Sequence, residues 1–326
     1  MDKLLLNSYV SVYIFSEIVA LILAIILLYI TIKSLIKWDF NATTKEQYNL
    51  EKSIYLGSII SNFLIYVKLI LLIYLVYTLD AIAIFIPGAM CGAGVVSANS
   101  YGMVLLGVKF LTIGLLIIWA MLERYDLEAK YYPIFKQRNY LLLVIIFLIF
   151  LESYLDFAYF FNIDINAPVS CCSTLYGTLE GHNPLPFGLN IKSMLLIFYL
   201  LFIALTILLF LEIELLIFII APLFVLISYY SVVYFFGTYI YELPTHKCPF
   251  CMMQKEYYYI GYLVWGTLFF GTVFAITWAV GKLFLKVDYK RLKNISIWLL
   301  IAFVLLNSSY VLIYYIKNGV LLWKRY

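Results

Sequence analysis

The chain reads as an all-α protein, a polytopic transmembrane bundle of about eight helices carrying short cysteine-bearing outer loops. Three observations lead there. Of its 326 residues, 65% are hydrophobic and 12% are charged, whereas an ordinary soluble domain carries about 25% charged residues. A mean hydropathy of +1.00, with 31 Tyr, 25 Phe and 6 Trp, cannot be hidden in one water-soluble core of this size. Long apolar runs also alternate with short clusters of Lys and Arg. A soluble enzyme is excluded. The net charge of +4 is no sign of nucleic acid binding, because most of the cations fall between apolar runs and report orientation instead.

Crossing the hydrocarbon layer takes about 20 apolar residues. Runs of that kind cover 9–36, 57–79, 103–122, 140–161, 193–211, 215–241, 257–281 and 295–316. The first is too long for a signal-peptide core and has no small-residue cleavage site, so it reads as a retained helix. The fifth and sixth form one apolar block that exceeds a single crossing, and Glu212-Ile213-Glu214 divides it into a hairpin. The chain is expected to be a single integral membrane domain, 1–326, with possible four-helix halves at 1–161 and 193–326 on either side of an outer loop at 162–192.

Lys and Arg counts set the orientation. Segments 33–56, 123–139 and 282–294 hold thirteen, and the alternating segments 80–102, 162–192 and 242–256 hold three, Lys192, Lys247 and Lys255. The first set is therefore expected on the cytoplasmic side of a prokaryotic cytoplasmic membrane, with both termini outside. All five cysteines (Cys91, Cys171, Cys172, Cys248, Cys251) and both histidines (His182, His246) then fall in the outer loops. Outside a prokaryotic cytoplasmic membrane, thiol pairs can form disulfides.

The most informative stretch runs from His246 through Cys248-Pro249-Phe250-Cys251 to Lys255 and Tyr257-Tyr258-Tyr259. Two cysteines in a Cys-x-x-Cys spacing at a helix start can meet in one turn, and helix N-terminal amides stabilise the first thiolate. Pro249 suits a first helical turn. On one helix, Cys248, Cys251 and Lys255 would stand at i, i+3 and i+7, with the lysine about one turn below the second sulfur. Tyr258, Tyr259 and their neighbours offer flat surface against which a quinone ring can lie.

Cys248-Pro-Phe-Cys251-Met-Met-Gln-Lys255 resembles the Cys-x-x-Cys-x-x-Gln-Arg segment of the DsbB-type disulfide-generating membrane proteins. That resemblance implies a cysteine pair that passes electrons from periplasmic thiols to a membrane quinone, with Cys248 and Cys251 as the quinone-proximal pair and Lys255 as the quinone contact. The likeness runs from Cys248 to Lys255, and Lys stands where the family has Arg. It implies a periplasmic thiol or thioredoxin-like protein as partner, beside the lipid bilayer.

The adjacent pair Cys171-Cys172 can close only a strained ring if bonded to each other. Cys91 lies in a glycine-rich, nearly uncharged connection from Pro87 to Gly102. An odd number of cysteines leaves at least one free, bonded to another molecule or acting as a ligand, and the favoured arrangement uses Cys171 or Cys172 with Cys91 as an upstream pair that relays electrons to Cys248 and Cys251. A different class of reading takes the same atoms as soft-metal ligands of the copper type, namely Cys91, Cys171, Cys172, Cys248, Cys251, His246 and His182. A third takes the chain as a non-catalytic subunit of a membrane complex.

Charges inside apolar runs are costly and are usually paired or functional. Lys68 and Lys109 fall in the second and third runs, and Glu152 and Asp156 share a face of the fourth at i and i+4. The two lysines are expected to meet that acidic pair, as a polar clamp or as a proton relay. Phosphate-binding glycine loops, zinc-protease motifs, nucleophile elbows and haem-attachment sequences are not found in the chain.

Overall fold

The computed structural model describes residues 2–39, 44–129, 132–169, 185 and 188–322. Among them, eight helices are long and apolar enough to cross a membrane: α1 Ser8–Lys37, α2 Lys45–Ala81, α3 Tyr101–Glu128, α4 Phe135–Phe161, α5 Ile191–Leu211, α6 Glu214–Ser231, α7 Ile260–Leu285 and α8 Lys290–Asn318. The chain is an integral membrane protein of the all-α class.

The starts of several helices follow from side-chain caps, which satisfy amides that have no partner within the helix. The Asn7 side chain accepts from the Tyr9 amide at 2.9 Å, that of Thr44 from Gln47 at 3.3 Å, and that of Asn190 from Ser193 at 2.8 Å. Thr44 starts α2 well ahead of its apolar run, because Lys45-Glu46-Gln47 and Leu50-Glu51-Lys52 are good helix formers that continue the helix as a polar first stretch. The hairpin between α5 and α6 turns at Glu212, which adopts a left-handed conformation at φ 59°. Its carboxylate takes Lys282 of α7 and Lys293 of α8, each at 2.5 Å. Arg138, counted above among the loop cations, lies instead in the first turn of α4, buried, 3.4 Å from Asp126.

The helices form two compact units, one of Met1–Pro87 with Val95–Val169 and one of Gly88–Gly94 with Ser170–Tyr326. In the first, each of α1 to α4 packs on the next, and α1 closes the ring against α4. Its core is built from Ala20, Ala24 and Leu27 of α1, Leu64 of α2, Leu116 and Trp119 of α3, and Ile145 and Ile149 of α4. In the second, α5 packs on α6, α6 on α7 and α7 on α8, with α8 returning to α5. Small residues let α7 and α8 approach closely: a Cβ on Gly271 would stand 3.1 Å from Leu300, and Ser296 donates to the Gly271 carbonyl at 2.7 Å.

Helix α6 does not end cleanly. A π-helical turn, Val232–Phe236, follows it and leads into a last turn, Gly237–Ile240. Such a turn re-aims the chain where a regular helix would carry straight on, and it recurs at functional sites. Here it delivers Tyr239, Ile240 and Tyr241 as buried side chains directly ahead of the cysteine segment.

A candidate thiol site and a buried charge cluster

The expected helix start at Cys248 is not what forms. Cys248 has irregular backbone, Pro249 and Phe250 make a turn, Cys251–Met253 is a 3-10 turn, Gln254 is extended, and Lys255–Tyr257 is a second 3-10 turn. Tyr258 and Tyr259 are both left-handed, at φ 53° and 56°, before α7 begins at Ile260. Two consecutive bulky residues in that conformation are unusual and cost energy, so the surroundings must hold them. Cys248, Cys251 and Lys255 therefore do not share a helical face. Cys251 is 6% exposed, whereas Lys255 points to the exterior, as do Tyr258 at 92% and Tyr259 at 47%.

Packing explains the irregularity. Met252 is fully buried, and Met252 and Met253 seat against Gly261, where a Cβ would fall 2.6 and 2.7 Å from their Cγ atoms. Tyr241 pins the segment from inside: its hydroxyl donates to the Cys248 carbonyl and accepts from the Met252 amide at 3.0 Å. Trp265 of α7 donates to the Pro249 carbonyl at 3.2 Å. His246 and Tyr257 close on the Tyr241 ring edge-on, with centroids at 4.3 and 4.8 Å. Burial raises the Tyr241 hydroxyl far above the ordinary phenol range, and charge on the Cys248 and Cys251 sulfurs adds to it, so Tyr241 stays a neutral donor. Burial likewise lowers Lys247, whose ammonium lies 5.4 Å from the Tyr234 ring centre.

Cys91, from the Gly88–Gly94 segment, joins this core. Its Sγ lies 3.5 Å from that of Cys248, and the sulfurs of Cys91, Cys248 and Cys251 all lie within 4.8 Å of one another. All three are buried, at 1%, 1% and 6% exposure, and among the described residues no disulfide joins them. Cys171, Cys172 and His182 lie outside the described residues. His246 is half-buried, and its Nε2 has no hydrogen-bond partner among the described residues.

The four charges that the sequence is expected to bring together, Lys68, Lys109, Glu152 and Asp156, do meet. Lys68 reaches Glu152 Oε1 at 3.0 Å, and Lys109 reaches Glu152 Oε1 at 2.6 Å and Asp156 Oδ2 at 2.9 Å. The reading from sequence missed Glu17 of α1, which takes Lys68 at 2.6 Å and Lys109 at 2.9 Å. It also missed Tyr13, whose hydroxyl lies 2.7 Å from Asp156 Oδ1 and 3.1 Å from Glu17 Oε1. A signal was there: Glu17 is the one charged residue between Ser8 and Tyr29. No residue of this cluster is more than 2% exposed. Ions so placed stabilise a fold only through close mutual pairing of this kind.

No family model, no curated protein and no solved structure matches the chain. Fold and site define a class by themselves: a helical membrane protein with a buried three-thiol cluster in one four-helix unit and a buried five-charge cluster in the other.

Proposed function

We propose that the chain is a membrane thiol–disulfide oxidoreductase of DsbB-like chemistry, working at the face of a prokaryotic cytoplasmic membrane that meets an oxidising compartment. The observation that carries this reading is the third sulfur. A Cys-x-x-Cys pair alone can be an inert disulfide, but a thiol 3.5 Å from one member of the pair is positioned for exchange, which proceeds by attack of a thiolate on a disulfide sulfur.

In the proposed step, the Cys91 thiolate attacks Sγ of Cys248 in a Cys248–Cys251 disulfide. The Cys91–Cys248 bond forms, the Cys248–Cys251 bond breaks, and Cys251 leaves as a thiolate that takes up a proton. A thiolate of Cys171 or Cys172 then attacks Sγ of Cys91, so that its disulfide with Cys91 forms, the Cys91–Cys248 bond breaks and Cys248 leaves as a thiolate that takes up a proton. Oxidation of the resulting Cys248/Cys251 dithiol back to the disulfide releases two electrons and two protons to a quinone-class acceptor, reduced to the quinol. The exposed ammonium of Lys255 and the open ring faces of Tyr258 and Tyr259 suit a molecule with carbonyl acceptors and a flat ring arriving from the membrane surface. Cys171 and Cys172 would pass electrons from a periplasmic thiol or thioredoxin-like protein to the buried trio. Purified full-length protein in lipid vesicles should catalyse reduction of a soluble, fully ring-substituted benzoquinone by dithiothreitol above the uncatalysed rate, and Cys248→Ser and Cys251→Ser should lower it to that rate. Persistence of the full rate in Cys248→Ser overturns the reading.

One observation favours a second reading. Three thiol sulfurs within 4.8 Å of one another also suit a thiophilic ion such as Cu(I). Copper retained in fixed stoichiometry by the purified protein, and lost in Cys91→Ser as well as Cys248→Ser, would replace the redox assignment with a metal site.

A further inference from the structure

We propose that the buried charge cluster of the first unit holds one exchangeable proton, carried on Asp156 Oδ1 and hydrogen-bonded to Tyr13. This inference does not depend on the thiol reading.

Hydrogen counting carries it. A tyrosine hydroxyl has one hydrogen, and an ionised carboxylate has none. Tyr13 Oη nevertheless lies within hydrogen-bond distance of two carboxylate oxygens, Asp156 Oδ1 at 2.7 Å and Glu17 Oε1 at 3.1 Å. With every carboxyl ionised, one of those contacts would press a lone pair against a buried anion. One added proton resolves both: Asp156 Oδ1–H donates to Tyr13, and Tyr13 donates to Glu17.

Charge counting agrees. Glu17, Glu152 and Asp156 carry three negative charges, and Lys68 and Lys109 two positive ones. A net charge so buried is expensive, and a proton cancels it without needing space. The proton falls on Asp156 rather than Glu152 because Glu152 Oε1 already receives both ammonium groups, at 3.0 and 2.6 Å, whereas Asp156 receives Lys109 alone. The three carboxylates lie close enough to hold a metal ion, but the two ammonium groups stand where such a cation would sit. The groups facing Asp156 are Tyr13 and Glu17 of α1, Lys68 of α2, Lys109 of α3 and Glu152 of its own helix.

Infrared spectroscopy of the full chain in lipid vesicles, with carbon-13 carboxyl labelling of Asp or of Glu in separate samples, tests this. At neutral pH a protonated-carboxyl C=O band is expected that shifts with the Asp label and with deuterium exchange. It should disappear in Asp156→Asn, move in Tyr13→Phe, and remain in Asp126→Asn, which alters the other fully buried aspartate among the described residues. The absence of such a band overturns the proposal, as does a band that follows the Glu label or survives Asp156→Asn. Should Asp156→Asn fail to fold, the two labels and deuterium exchange on the unaltered chain, with Asp126→Asn beside them, decide alone.

Discussion

The sulfur of Cys91 lies 3.5 Å from that of Cys248, 157 positions further along the chain. This contact places a glycine-rich connection against an irregular turn, and with Cys251 in the same group all three sulfurs lie within 4.8 Å of one another. Removing Cys251 should therefore redirect Cys248. In Cys251→Ser, mild oxidation is expected to yield a Cys91–Cys248 disulfide, read by peptide mass spectrometry after alkylation; recovery of both residues only as alkylated thiols would contradict the geometry.

Gly261, in the first turn of α7, is where the cysteine turn seats against that helix. Gly261→Ala would drive a methyl group into Met252 and Met253, one contact being Met252 backbone at 2.9 Å. Overpacking of this kind costs about 1–3 kcal/mol, so a lower midpoint of thermal unfolding in detergent is expected. Gly266, one turn and a residue further on, has nothing within 4 Å of its added Cβ. Gly266→Ala should leave the midpoint unchanged or raise it, which separates crowding from helix propensity.

Tyr241 bridges the Cys248 carbonyl and the Met252 amide in a buried setting. Tyr241→Phe keeps the ring and removes both of these backbone hydrogen bonds, at a cost of about 1–3 kcal/mol. Because the loosened segment carries both cysteines, maleimide should modify Cys251 faster than in the unaltered chain. An unchanged rate with lowered stability would confine Tyr241 to a structural role.

Lys109 is the most connected ion of the charge cluster, facing Glu17, Glu152 and Asp156. Lys109→Met strands carboxylates in a buried site and is expected to destabilise the first unit by about 3–5 kcal/mol. The double variant Lys109→Met with Glu152→Gln removes one stranded charge and should recover part of that loss. Recovery is measured by denaturant titration in mixed micelles.

Glu212 ties the α5–α6 hairpin to α7 and α8. Hydrogen bonds from Lys282 and Lys293 hold its carboxyl down to about 2 from an ordinary value of 4.5. A depressed carboxyl contributes stability that is fully present above the ordinary value and is lost as pH falls from there toward about 2. Thermal unfolding followed across that window should show the decline in the unaltered chain and a flatter profile in Glu212→Gln.

Much of the plan was legible in the sequence. Where a span begins and ends is a local matter of apolar length and capping, so runs such as 193–211 fall within two residues of Ile191–Leu211, and Glu212 marks the hairpin because a charge interrupts an apolar block. The same local reading put Cys248 and Cys251 at a helix start, and there it failed. Tight seating of Met252 and Met253 on Gly261, with Tyr241 bridging the backbone, selected 3-10 turns and two left-handed tyrosines over a regular first turn.

Lys68, Lys109, Glu152 and Asp156 could be singled out from sequence, since an ion inside an apolar run needs a partner. Which partner completes the set could not, because that depends on the depth and rotation of one helix against another. Glu17 and Tyr13 enter from α1 only once the four-helix ring is closed. Cys91 reaches Cys248 by the same kind of decision. Sequence alone determined a membrane-spanning helical chain with its thiols and buried charges in known segments; tertiary packing decided which of them meet, because contacts between distant segments are set by how whole helices fit together.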